Sequence, residues 1–162
     1  MKNTLKVAVE GDCAIVITRD FDAPRALVWN AMSRPELLRR WLQGPPGWEL
    51  TIREDDPKVG GTFRWEWAGP DGAVLMMRGV YREVVPPGRC VRTEAFEGAG
   101  FPPMGEQLST LVLADRGEAT TLTLTVEYPS REARDGALAN GMDRGLSAGY
   151  DRLDAILNPA AA

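Results

Sequence analysis

In residues 13–21, CAIVITRDF, the side chains of Ile15, Ile17 and Phe21 fall on one face of an extended chain, which predicts a half-buried strand. The period then lengthens. Residues 22–33, DAPRALVWNAMS, predict a helix with Asp22 as its cap and Pro24 in the first turn. Residues 33–44, SRPELLRRWLQG, restart it: Ser33 and Glu36 stand at capping-box spacing, and Gly44 with the two prolines after it ends the helical run. From Trp48 onward the period is two. WELTIR, then TFRWEW with Phe63, Trp65 and Trp67 on one face, then residues 73–85, 89–96, 107–115 and 120–128 all read as strands. GPDG and RGEA have the composition of hairpin turns. The last strand alternates most cleanly, with Leu122, Leu124, Val126 and Tyr128 against Thr121, Thr123, Thr125 and Glu127. Ser130 then caps a predicted helix over residues 131–157, roughly 40 Å long at ~1.5 Å per residue. Its apolar positions are Leu138, Met142, Leu146, Leu153 and Ile156, with Tyr150 beside them.

Strands joined by short turns form an antiparallel sheet, and an apolar sheet face needs something to cover it. The C-terminal helix is the only predicted element long enough. The order therefore predicts an α+β fold: a curved antiparallel sheet of about six or seven strands wrapped around that helix, with two short helices after the first strand. Residues 1–11 read as an N-terminal extension, 12–158 as a single domain and 159–162 as a disordered tail. The long helix carries Gly141, Gly145 and Gly149 on one stripe, although each helical glycine costs about 0.5–1 kcal/mol relative to alanine. The stripe either lets the sheet backbone approach closely or leaves a hollow between sheet and helix.

Composition narrows the function. Hydrophobic residues make up 44% and charged residues 26% of the 162 positions, the balance of a globular domain. A net charge of −4 argues against nucleic acid or an anionic membrane as partner. Arg34, Arg39 and Arg40 read as a solvated helix face. No signal peptide and no apolar run of membrane-spanning length is visible, so the chain is expected to be cytoplasmic. Cys13 and Cys90 are expected to be small buried hydrophobes, not a disulfide. Histidine is absent, which removes Ser-His-Asp and Cys-His catalysis and the common zinc sites. No cofactor is expected.

The segments FDAPRALVWNAMSRPELLRRWL, VGGTFRWEW, GPDG, GVYREVVPPGR, TEAFEG and the C-terminal run TLTLTVEYPSREARDGALANGMDRGLSAGYDRLDAIL resemble single-domain homologues of the activator of the heat-shock protein 90 ATPase. That family lies within the START-like, birch-pollen-allergen-like (SRPBCC) superfamily with the helix-grip fold. The resemblance implies a cavity between sheet and long helix, often used for apolar ligands, and implies no single reaction. Leu146 stands where similar proteins often carry an aromatic residue, commonly tryptophan.

The ligand-binding residues expected on these grounds are Trp41, Phe63, Trp65, Trp67, Met76, Arg78, Met142, Leu146 and Tyr150. Aromatic side chains line apolar pockets and stack on flat ligands. Arg78 falls in phase with Val74, Met76 and Val80, and an arginine at a cavity wall could hold a carboxylate or phenolate. Arg64, Glu66 and Glu94 are further charges within strands, any of which needs a partner if it points inward. Glu54, Asp55 and Asp56 read as a solvated turn in preference to a metal site. Tyr81 and Tyr128 could donate protons but have no base at readable spacing. The leading expectation is a protein that binds a small hydrophobic or aromatic molecule without defined catalysis, as a monomer or homodimer. The alternatives are a stress-related co-chaperone-like interaction protein, whose contact would be the GAGFPPMG loop with Phe101 and Met104, and an enzyme of the cyclase or aromatase kind.

Overall fold

The computed structural model describes residues 4–98, 100 and 105–158. Eight strands form one antiparallel sheet: β1 (Lys6–Glu10), β2 (Ala14–Phe21), β3 (Glu49–Asp55), β4 (Thr62–Ala68), β5 (Val74–Val85), β6 (Arg89–Gly98), β7 (Gln107–Arg116) and β8 (Ala119–Glu127). Their order across the sheet is β1-β2-β8-β7-β6-β5-β4-β3. Helices α1 (Arg25–Ser33) and α2 (Pro35–Trp41) follow β2, and α3 (Arg131–Ala139) and α4 (Met142–Leu157) close the chain. This is the α+β arrangement of the helix-grip fold. No helix among the described residues is long and apolar enough to cross a membrane.

The sheet has one more strand than the pattern predicts. β1 pairs with β2 from Lys6↔Thr18 to Glu10↔Ala14, yet all five of its side chains are exposed. Leu5, Val7 and Val9 alternate with Lys6, Ala8 and Glu10, but no side chain of β1 is buried, so the strand is an exposed edge joined to β2 through its backbone ladder. The predicted caps also differ. Pro24 and Arg34 occupy the caps of α1 and α2, neither with a side-chain bond, and Ser33 Oγ instead donates back to the Trp29 carbonyl. Ser130 does cap α3, accepting from the Ala133 N–H at 3.0 Å.

The long C-terminal helix is two helices. α3 ends at Ala139 with Asn140 as its C-cap, and Gly141, at φ +83°, turns the chain before α4 begins. A left-handed backbone conformation is open to glycine at little cost. The three glycines of the stripe therefore do not share one cause. Gly141 makes the break. At Gly149 an added Cβ would lie 3.3 Å from the Trp41 carbonyl oxygen, so the close approach is to α2 and not to the sheet. At Gly145 an added Cβ would meet nothing within 4 Å.

Two one-residue bulges decide what faces inward. The β3–β4 register slips at Arg53 and the β5–β6 register slips at Arg82. The first turns Asp55 to the same side as Leu50, and the second puts Val84 on the side of Tyr81. The core beneath the sheet is built from Ile15, Ile17, Phe21, Leu122 and Leu153, all essentially inaccessible. α4 is fastened to β2 by Arg19, whose Nη2 lies 2.9 Å from Asp151 Oδ1 and 4.0 Å from Asp154 Oδ2. Cys13 and Cys90 are free thiols.

Candidate functional site

A cavity of about 580 Å³ lies between the concave sheet face and the helices. Trp65 and Trp67 of β4 and Leu75 and Met77 of β5 form one wall, because Trp65 pairs with Met77 and Trp67 with Leu75 across the ladder. Leu111, Leu124 and Val126 line the floor on β7 and β8. Trp41 of α2 and Met142, Leu146 and Tyr150 of α4 line the opposite side. Trp41 is fixed by its Nε1–H donating to the Ala31 carbonyl at 2.9 Å, and its ring lies 5.8 Å from that of Tyr150. Exposed residues among the lining, Pro45, Pro57, Gly105 and Asn140, mark the mouth.

Six of the nine sequence-predicted residues thus line the cavity: Trp41, Trp65, Trp67, Met142, Leu146 and Tyr150. Phe63 lies behind the wall, its ring 5.4 Å from those of Trp65 and Tyr81. Met76 and Arg78 are placed on the outer face, which corrects the expected phase of β5. Both phases of that strand are apolar, Val74, Met76 and Val80 in one and Leu75, Met77 and Tyr81 in the other, so alternation alone does not orient it. Pairing with the tryptophans of β4 does. Arg78 is 59% exposed and pairs with Glu97 at 2.5 Å. Phe101 and Met104 lie outside the described residues.

The inward arginine is Arg92, on β6. Cys90, Arg92, Glu94 and Phe96 alternate toward the cavity. Arg92 Nε donates to Glu94 Oε2 at 2.9 Å, and Glu94 Oε1 accepts from Gln107 Nε2 at 2.9 Å. The guanidinium sits over Phe63 and Trp65, 4.6 and 4.7 Å from their ring centroids, where the ring faces attract a cation. Burial works against the Arg92 charge, but the Glu94 carboxylate and the neighbouring Tyr81 and Cys90 outweigh it and move its pKa upward. Sequence reading missed Arg92 because Val91 and Ala95 give the opposite phase of β6 an apolar look. The signal available was two opposite charges at i and i+2, which share a strand face and can satisfy each other.

Asp55 is the second group that sequence reading placed wrongly. The bulge at Arg53 turns it inward, where Tyr81 Oη donates to its Oδ1 at 2.5 Å and Trp65 Nε1 donates to its Oδ2 at 3.3 Å. Burial raises the Asp55 pKa, and the Tyr81 hydrogen bond, Arg92 and Trp65 pull it partly back. Burial likewise raises Tyr81, with Arg92 opposing. Tyr128 is pushed up to about 12 by burial and by Glu94, and Tyr150 rises for the same two reasons. The three phenols that line the cavity are therefore neutral donors at neutral pH. No three His, Cys, Asp or Glu side chains gather for a metal ion among the described residues. The site is an apolar hollow with a narrow polar seam across the sheet.

Several solved structures share this architecture. A protein from Rhodobacter sphaeroides is 30% identical, with a TM-score of 0.85 over 96% of this chain and 98% of that one. Protein CV1439 from Chromobacterium violaceum is 28% identical, with a TM-score of 0.77 over 90% of this chain and 97% of that one. Protein Ms6760 from Mycobacterium smegmatis, at 24% identity and a TM-score of 0.83 over 96% and 97% of the two chains, shares the fold. No curated protein matches the chain closely enough to lend it a function. The family model described as activator of Hsp90 ATPase homolog 1-like protein matches residues 22–158. With that match spanning the helices, the cavity walls and α4, the chain belongs to the activator of Hsp90 ATPase homolog 1-like family, in the SRPBCC-type fold.

Proposed function

We propose that the protein binds a small, largely apolar molecule in the hollow between the sheet and α4. The cavity carries this reading: about 580 Å³ is within the range of small-molecule sites, and tryptophans, leucines and methionines line most of it. Binding would come from apolar burial and stacking on Trp41, Trp65 and Trp67, with the polar seam fixing orientation. Gly145 adds room on the helix side. The test is native against denaturing mass spectrometry of gently purified protein, with uptake of the neutral fluorophore phenylnaphthylamine measured in parallel. A reproducible mass lost on denaturation, or saturable uptake blocked by Leu146→Trp, supports the reading. Absence of both refutes it.

Family membership favours a second reading, a co-chaperone-like role on heat-shock protein 90. That reading expects the chain to raise the chaperone's ATPase rate when added to it. An unchanged rate at saturating chain removes it.

A further inference from the structure

Resting on the binding reading above, we infer that the ligand is an acid: an aromatic or alicyclic body carrying one anionic group, seated against the outer edge of the Arg92 guanidinium.

Three observations carry this. Arg92 is committed on one side only. Its Nε–H goes to Glu94, and neither Nη atom has a hydrogen-bond partner among the described residues. The side chain nevertheless retains 20% exposure while lining the cavity. An arginine buried for structure alone places its Nη donors on carbonyls or carboxylates, because unmet donors out of water are costly. Second, the guanidinium is held over the Phe63 and Trp65 rings and by its Nε–H bond to Glu94, so its position is set before any ligand arrives. Third, the acceptor side of the seam is already engaged. Glu94 accepts from Arg92 and Gln107, and Asp55 accepts from Tyr81 and Trp65. The hydroxyls of Tyr128 and Tyr150, both on the cavity wall, have no hydrogen-bond partner among the described residues and add neutral donors. A wall with donors to spare and its carboxylates satisfied selects an acceptor, and a fork of N–H groups selects a carboxylate, sulfonate or phenolate.

The experiment uses a matched pair of fluorophores: phenylnaphthylamine, which is neutral, and anilinonaphthalene sulfonate, the same skeleton with an anionic group. Both are titrated into the unmutated protein and into two variants. Arg92→Gln removes the fork. Arg92→Gln with Glu94→Gln removes both charges, so that neither is left buried alone. Loss of one charge-assisted contact predicts that sulfonate affinity falls about tenfold or more in both variants while phenylnaphthylamine changes less than about twofold. Equal effects on the two probes, or none on either, overturn the assignment and leave the cavity reading standing. Failure of both probes to bind the unmutated protein overturns the assignment, and with no mass lost on denaturation it overturns the binding reading as well. A second measurement needs no variant: naphthoic acid should displace bound phenylnaphthylamine at lower concentration than its methyl ester. An ester that competes equally well or better overturns the assignment.

Discussion

Gly145 and Gly149 stand one helical turn apart on the same stripe of α4, yet alanine should act on them in opposite ways. Both are interior helical positions, so replacing either with alanine gains about 0.5–1 kcal/mol of helix propensity. At Gly145 nothing opposes that gain, because a Cβ there meets no atom within 4 Å. At Gly149 the added Cβ sits 3.3 Å from the Trp41 carbonyl oxygen and 3.5 Å from its ring carbon Cε3. Trp41 cannot retreat freely. Its indole N–H is bonded to Ala31, its carbonyl accepts from Arg152 Nε at 3.1 Å, and its ring packs on Tyr150. Forcing α2 and α4 apart costs about 1–3 kcal/mol as overpacking. Gly145→Ala should therefore raise the melting temperature by about 1–4 °C for a domain of this size. Gly149→Ala should fall below Gly145→Ala by about 1 kcal/mol or more. Urea titrations of the three proteins, with m-values compared to exclude a change in the denatured state, measure the difference directly. Equal shifts for the two variants would refute the packing account and leave helix propensity as the whole cause.

Leu146→Trp should fill the cavity from the helix side and weaken phenylnaphthylamine uptake by about tenfold or more with the fold retained, as circular dichroism would report. Undiminished uptake would place the probe elsewhere. Arg19→Met should cost about 1.5 kcal/mol, the low end for a hydrogen bond to a charged group, because Asp151 is 55% exposed and rehydrates. A variant as stable as the parent in urea would show that the Arg19 fastening contributes nothing net. Asp55 predicts a pH effect. Burial raises its pKa above 3.8, so the native state holds the proton more tightly than the unfolded chain does. That contribution is complete below 3.8 and is lost as pH rises through the native value. Asp55→Asn should accordingly gain on the parent protein as pH is raised across this interval. A constant difference in urea midpoint would show that the carboxyl is not desolvated.

The fold was readable because its signals are periodic. Seven strands, both short helices and the C-terminal cap at Ser130 follow from alternation, helical spacing and turn residues. What escaped were features that periodicity alone does not decide. β1 has no buried face. Gly141, where the helix breaks, looks in sequence like one more glycine of the stripe it shares with Gly145 and Gly149. For the site, the aromatic and helical walls were legible, since Trp65, Trp67, Met142 and Tyr150 lie on clean apolar faces. The polar seam was not. Arg78 reads as inward because β5 is apolar in both phases, and only cross-strand pairing with Trp65 and Trp67 chooses between those phases. Asp55 sat in an acidic run that reads as solvent-facing until the slip at Arg53 is known. Long-range register fixed these residues, and a local window does not contain it.

The two slips also set how this interior can change over time. In a regular strand, losing one residue rotates everything beyond it to the opposite face. Arg53 and Arg82 are the exceptions. Each is the surplus member of its ladder, exposed and without a Cα partner on the neighbouring strand. Deleting either restores an unbroken pleat while Asp55, Tyr81 and Val84 keep their present sides. Loss of one residue within either bulge leaves the contents of the hollow untouched, whereas a deletion in a strand without a bulge exchanges the lining beyond it for the outer surface.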